Sequence, residues 1–119
     1  MEIEKIYFPS VYKKAILKRT KSFTIRVNKE LGKYKKGHIY QTFSYTDSDW
    51  ETKIKIKELI KIKLSELVEF GIPKRSVKSL KRKTMLSDND LVELIKFNYV
   101  SKKDTLWPKI DHLKNKLHQ

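Results

Sequence analysis

Residues 16–26 read Ile16-Leu17-Lys18-Arg19-Thr20-Lys21-Ser22-Phe23-Thr24-Ile25-Arg26, and a helix, a turn and a strand meet within them. Upstream, Pro9 and Ser10 open a short helix through Val11, Ala15, Ile16 and Leu17, because proline is tolerated in a first helical turn. Downstream, Phe23-Thr24-Ile25-Arg26-Val27 alternates apolar with polar, the pattern of a half-buried strand. That alternation sends Phe23, Ile25 and Val27 to one face, and Thr24 and Arg26 to the other. Lys21 lies at the strand's entrance. An ammonium, a hydroxyl and a guanidinium gathered there are donors suited to a phosphate or an oxyanion.

The elements on either side fit one small domain. Ile3 to Phe8 is expected as a first strand, and residues 28–37 as a polar loop containing Gly32 and Gly37. His38 to Tyr45 is β-rich and ends in the turn cluster Thr46-Asp47-Ser48-Asp49. Trp50, Thr52, Ile54 and Ile56 then alternate with Lys53, Lys55 and Lys57. Ile60, Ile62 and Leu64 form a second alternation, and the adjacent pair Leu59-Ile60 suggests a bend or bulge between the two runs. Ser65 is expected to cap a short helix through Leu67, Val68 and Phe70 that Gly71 and Pro73 end. Asp90 to Val100 fits either a strand or a helix, with β-branched and aromatic content favouring the strand. From about Trp107 to His118, Leu106, Ile110, Leu113 and Leu117 form one apolar stripe, expected as an amphipathic helix. These elements make a mixed, mostly antiparallel sheet with a few short helices.

Charge narrows the partner. The 119 residues carry 28 Lys plus Arg against 14 Asp plus Glu, a formal charge of +14. Residues 13–36 account for +9 and residues 51–83 for +7, whereas every other segment lies between −2 and +3. Self-repulsion makes such blocks costly, and a polyanion relieves it. The block Lys74-Arg75-Ser76-Val77-Lys78-Ser79-Leu80-Lys81-Arg82-Lys83 reads as a patch that tracks phosphates, or as a solvated loop that orders on nucleic acid. Tyr34, between Lys33 and Lys35, is the expected base-stacking residue, whereas Tyr40 and Trp50 read as core. With no cysteine, disulfides, Cys-based zinc sites and thiol nucleophiles are excluded. His38, His112 and His118 are scattered, so no metal and no cofactor is expected. Without a signal-like apolar run or a spanning stretch, a cytoplasmic protein with no membrane partner is expected.

The order helix, turn, Lys21-x-x-Thr24-x-Arg26, polar loop, then Lys36-Gly37-His38-Ile39-Tyr40 resembles an ASCH domain of the PUA-like superfamily. That family carries Leu-x-Gly-x-Lys-x-x-Thr-x-Arg, a Gly-Asp-x-Val-like strand start, a long Lys-rich strand, a short helix and a closing strand of the type Leu94-Ile95-Lys96-Phe97. The resemblance covers roughly residues 3–100. It implies a strand for Asp90 to Val100 and an α+β fold, a small mostly antiparallel β-barrel with short flanking helices. An ASCH-like domain over residues 1–100 would then precede a C-terminal helical extension over 101–119. Two positions depart from the pattern: Arg19 replaces the motif glycine, so a positive φ is not expected there, and His38 replaces the aspartate. Both departures suit binding more than catalysis.

Some members of that family hydrolyse acetylated cytidine, and others resemble ribonucleases. By that resemblance Thr24 would be the nucleophile and Lys21 its base, with Glu66 and Glu69 the nearest acids for an assisting carboxylate. A Lys acts as a base only when its charged form is disfavoured. The leading expectation is an RNA-binding module with a cleft lined by Lys18, Arg19, Lys21, Thr24 and Arg26. Its phosphate contacts extend to Lys74, Arg75, Lys78, Lys81, Arg82 and Lys83, with Tyr34 stacking on a base. A small hydrolase in that cleft is one alternative. A protein-interaction module, or a homodimer formed through the C-terminal helix, is the other.

Overall fold

The computed structural model describes residues 4–101. Five strands form one mixed sheet: β1 (Lys5–Tyr7), β2 (Phe23–Arg26), β3 (Ile39–Ser44), β4 (Ser48–Lys63) and β5 (Leu91–Val100). Two α-helices, α1 (Lys13–Leu17) and α2 (Lys74–Thr84), are joined by 3-10 segments at Ser10–Tyr12, Asn28–Glu30 and Leu64–Phe70. The strand order is β1-β3-β4-β5-β2, with β1 parallel to β3 and the pairs β3–β4 and β2–β5 antiparallel.

The expected barrel is replaced by an open sheet whose outer strands are β1 and β2. Both are short, of three and four residues. Pro9, two residues beyond β1, has no N–H to extend a ladder. The expected C-terminal helix and the 101–119 extension lie, beyond Ser101, outside the described residues.

The chain forms two compact units. One contains the described residues up to Lys21, Ile39–Lys55 and those from Asn98; the other contains Ser22–His38 and Ile56–Phe97. In the first, Ile6, Phe8, Ile16, Tyr40, Trp50 and Ile54 are buried together with Gln41, Thr42 and Thr52. These polar side chains answer a bulge. The β3–β4 register shifts between Gln41, opposite Lys53, and Phe43, opposite Asp49, so β4 carries surplus residues there. The Thr42 hydroxyl donates to the Thr52 carbonyl at 2.5 Å and the Gln41 amide donates to the Trp50 carbonyl, satisfying acceptors released from the ladder. This irregularity precedes Leu59-Ile60, where a bend or bulge is expected from the sequence. β4 runs through those residues because Ile56, Ile60, Ile62 and Leu64 share one parity, leaving Leu59 on the opposite face.

In the second unit, Leu64, Leu67, Ile72, Val77, Val92 and Leu94 form the core, packed by Phe23, Ile25, Val27, Ile60, Ile62, Leu80 and Leu86. Burying each of these aliphatic side chains contributes about 1.5–3 kcal/mol, so this cluster fixes α2 and the preceding 3-10 segment on the sheet. That segment starts one residue before the expected Ser65 cap. Glu66 reaches back to accept from the Lys63 N–H at 2.8 Å, while the Ser65 N–H donates to Asp88 O. Gly71 ends it at φ 91°, a conformation that favours glycine.

Candidate nucleic-acid interface

The turn after α1 is built from backbone hydrogen bonds. Arg19 N–H donates to Ile16 O at 3.0 Å and Thr20 N–H to Ala15 O at 2.9 Å, the paired bonds of a Schellman helix end. Such an end places its penultimate residue in the left-handed region, and Arg19 has φ 60°. This corrects the expectation that losing the motif glycine would remove positive φ. The two hydrogen bonds hold the conformation, and Arg19 bears the steric cost of its Cβ, about 1–2 kcal/mol.

Two tyrosines brace this turn from within the same unit. The Lys21 ammonium lies 4.3 Å from the Tyr12 ring centroid, where the ring face attracts it as a cation. Tyr99 donates its hydroxyl to Lys21 O at 2.6 Å. Burial is the largest influence on that phenol and raises its pKa, partly opposed by the Lys21 hydrogen bond and the Arg19 charge. The Arg19 guanidinium stands 5.9 Å from the Tyr99 ring and reaches Val100 O at 3.5 Å. Lys18 and Arg19 are exposed and Lys21 is half-buried, so all three cationic heads border a shaped, aromatic-backed turn.

Strand β2 departs from its expected exposure. Phe23, Ile25 and Val27 do face the apolar cluster, but the polar face is the more deeply buried, with Thr24 at 8% and Arg26 at 7% exposure. Arg26 sits opposite Glu93 in the β2–β5 register, and its Nη1 lies 3.5 Å from the Glu30 carboxylate. Tyr34 donates its hydroxyl to the same carboxylate at 2.7 Å and presents its ring 5.4 Å from the Arg26 guanidinium. Burial alone would raise the Glu30 pKa. The hydrogen bonds from Tyr34 and Lys33, with the charges of Lys33 and Arg26, outweigh it and hold the pKa below the usual carboxylate range.

Tyr34, expected as an exposed stacking platform, is 2% exposed, because its hydroxyl and ring complete this buried ionic group. Glu93, which the sequence did not single out, is equally buried and accepts from the Gly32 N–H at 3.0 Å, tying the 28–37 loop down. One sequence signal marked it: a lone acid among Leu91, Val92, Leu94 and Ile95.

The block Lys74 to Lys83 is a helix, not a loop. Pro73 precedes α2, and Ser76 and Val77 N–H both donate to Pro73 O. Val77 and Leu80 anchor its inner side. Lys74, Lys78 and Arg82 follow one another at i, i+4 spacing along the exposed side, with Arg75 and Lys83 beside them. Lys81 turns to Asp88 at 2.7 Å, while the other five basic residues of α2 make no ion pair among the described residues. No group of three or more His, Asp or Glu side chains suited to a metal occurs among the described residues, and no described helix is long and apolar enough to cross a membrane.

No family model matches the chain, and neither does any curated protein sequence. A match among solved structures is the crystal structure of a ZmASCH mutant protein from Zymomonas mobilis, at TM-score 0.58 and 9% identity. It covers 85% of this chain and 76% of that one. At that identity the likeness concerns the fold, and the chain has an ASCH-like fold.

Proposed function

We propose that this chain is a nucleic-acid-binding module whose target is RNA, held through its phosphates. The observation that carries the proposal is α2: six basic residues in eleven, no acid, and five exposed heads without an ionic partner among the described residues. Such a surface repels itself, and an anionic partner relieves that repulsion. The turn of Lys18, Arg19 and Lys21 supplies a second set of cations, presented on a braced backbone. The ASCH-like fold supports RNA over other polyanions through the family resemblance of the Lys21-x-x-Thr24-x-Arg26 motif. In this assignment the exposed lysines and arginines make the contacts. Thr24, Arg26 and Tyr34 are buried and have no part in those contacts.

Fluorescence anisotropy with a labelled single-stranded RNA, across a salt series, tests the proposal. If five to eight of these cations meet phosphates, log Kobs falls against log salt with a slope of about −4 to −6. Binding that is absent at low salt, or indifferent to salt, overturns it.

A further inference from the structure

In the first unit, three aromatic rings form a cluster at the outer strand β1. Tyr7 and Phe43 are register partners in the parallel β1–β3 pair, and Tyr45 lies two residues beyond Phe43. The Tyr7 and Tyr45 rings stack with centroids 4.5 Å apart at 27°. Phe43 meets both edge-on, at 5.8 Å and 67° to Tyr7 and at 5.5 Å and 87° to Tyr45. Tyr45 is nonetheless 80% exposed. Tyr7 stacks against one of its faces and Phe43 stands nearly perpendicular to it, so its outer face is displayed on a ring backed by two others.

We propose that the outer face of Tyr45, backed by Tyr7 and Phe43, is a stacking platform for an unpaired base of single-stranded RNA; this rests on the nucleic-acid assignment above. Bases splayed out of a single strand are recognised by stacking on aromatic side chains, and a ring held in place loses little entropy on receiving one. The local charges agree with that occupant. The nearby acids Asp47 and Asp49 are paired with Lys13 at 3.2 Å and Lys5 at 3.0 Å, so they do not turn a phosphate backbone away. Lys5, while paired with Asp49, also stands 6.0 Å from the Phe43 ring. A displayed ring beside neutralised acids admits an aromatic ligand that carries phosphate.

The test compares wild type, Tyr45→Ala and Tyr45→Phe for binding to a 12-nucleotide oligouridine and to an RNA duplex of equal length. Circular dichroism confirms the fold of each variant, and Tyr45 is exposed enough for both substitutions to be tolerated. Tyr45→Ala is expected to weaken oligouridine binding about 5- to 100-fold, and Tyr45→Phe to restore it, because stacking needs the ring and not the hydroxyl. The salt slope and the duplex affinity stay unchanged, since no phosphate contact is removed. If wild type binds both RNAs and Tyr45→Ala binds oligouridine as wild type does, the platform is overturned while the nucleic-acid assignment stands. Equal loss for strand and duplex also overturns it. Wild type that binds neither RNA at low salt removes both. A proline-rich peptide that binds wild type and not Tyr45→Ala, with oligouridine unaffected, reassigns the platform to peptide and overturns the proposal.

Discussion

Replacing Arg19 by glycine is expected to separate stability from binding. The left-handed conformation at φ 60° costs an L-residue about 1–2 kcal/mol, of which glycine's larger unfolded-state freedom cancels about 0.5–1 kcal/mol. The substitution also removes the Arg19 contacts with Val100 O at 3.5 Å and with the Tyr99 ring at 5.9 Å. Both are near the limit of their range and together contribute about 0.5 kcal/mol. The net effect of Arg19→Gly is therefore small, between neutral and a gain of about 0.5 kcal/mol. Met85 supplies the reference. It caps α2 at φ 62°, donates its N–H to Lys81 O at 2.8 Å, and is 88% exposed, so its side chain has little to lose. Met85→Gly should gain about 0.5–1 kcal/mol, a rise in Tm of about 2–8 °C for a domain of this size. Arg19→Ala, which keeps the strain and loses the contacts, should fall about 0.5 kcal/mol below wild type. Thermal unfolding followed by circular dichroism ranks the variants as Met85→Gly, Arg19→Gly, wild type, Arg19→Ala. RNA affinity should nevertheless drop for Arg19→Gly, with a salt slope shallower by about 0.7. Loss of more than 1 kcal/mol on Arg19→Gly, or unchanged RNA binding, would refute the view that a strained residue is kept here for its guanidinium.

Two further outcomes concern the buried ionic group. Glu93→Ala leaves the Gly32 N–H without its acceptor, so chemical denaturation should show a loss of about 1–3 kcal/mol, most of which Glu93→Gln restores; equal stability of all three proteins would contradict that role. The Glu30 pKa is lower in the folded chain than in the unfolded one, so its contribution is present above the unfolded value and lost as pH falls through the folded value. Acid titrations of stability should accordingly be flatter in Glu30→Gln than in wild type, and parallel curves would contradict the coupling.

The fold was largely legible because its signals are local. The alternation from Trp50 to Leu64 specified β4, the helix and strand around the Lys18–Lys21 turn appeared where Pro9 and Phe23 placed them, and Gly71 ended its segment. What escaped was set by tertiary context. Nothing in Tyr34 or Arg26 themselves announces that they will be buried with Glu30 as their partner, since a Lys-rich loop carries the same letters whether it lies in water or across a sheet. Alternation separated the faces of β2 correctly. It could not tell that both faces would be covered, because the sheet's second layer is the 28–37 loop and not a regular element. The basic block at Lys74 had too few apolar residues to reveal its period, yet Val77 and Leu80 sufficed once the core offered them a site. At Arg19 the backbone pattern of a helix end prevailed over residue preference.

The binding assignment depends most directly on α2. Lys74→Gln, Lys78→Gln and Arg82→Gln combined remove three charges from its exposed side without touching Val77 or Leu80. Measured against single-stranded RNA over a salt series, the triple variant should bind with a log-log slope shallower than wild type by about 2, at about 0.7 per phosphate contact. A variant that is folded, binds RNA, and keeps the wild-type slope would show that this helix does not hold the phosphates.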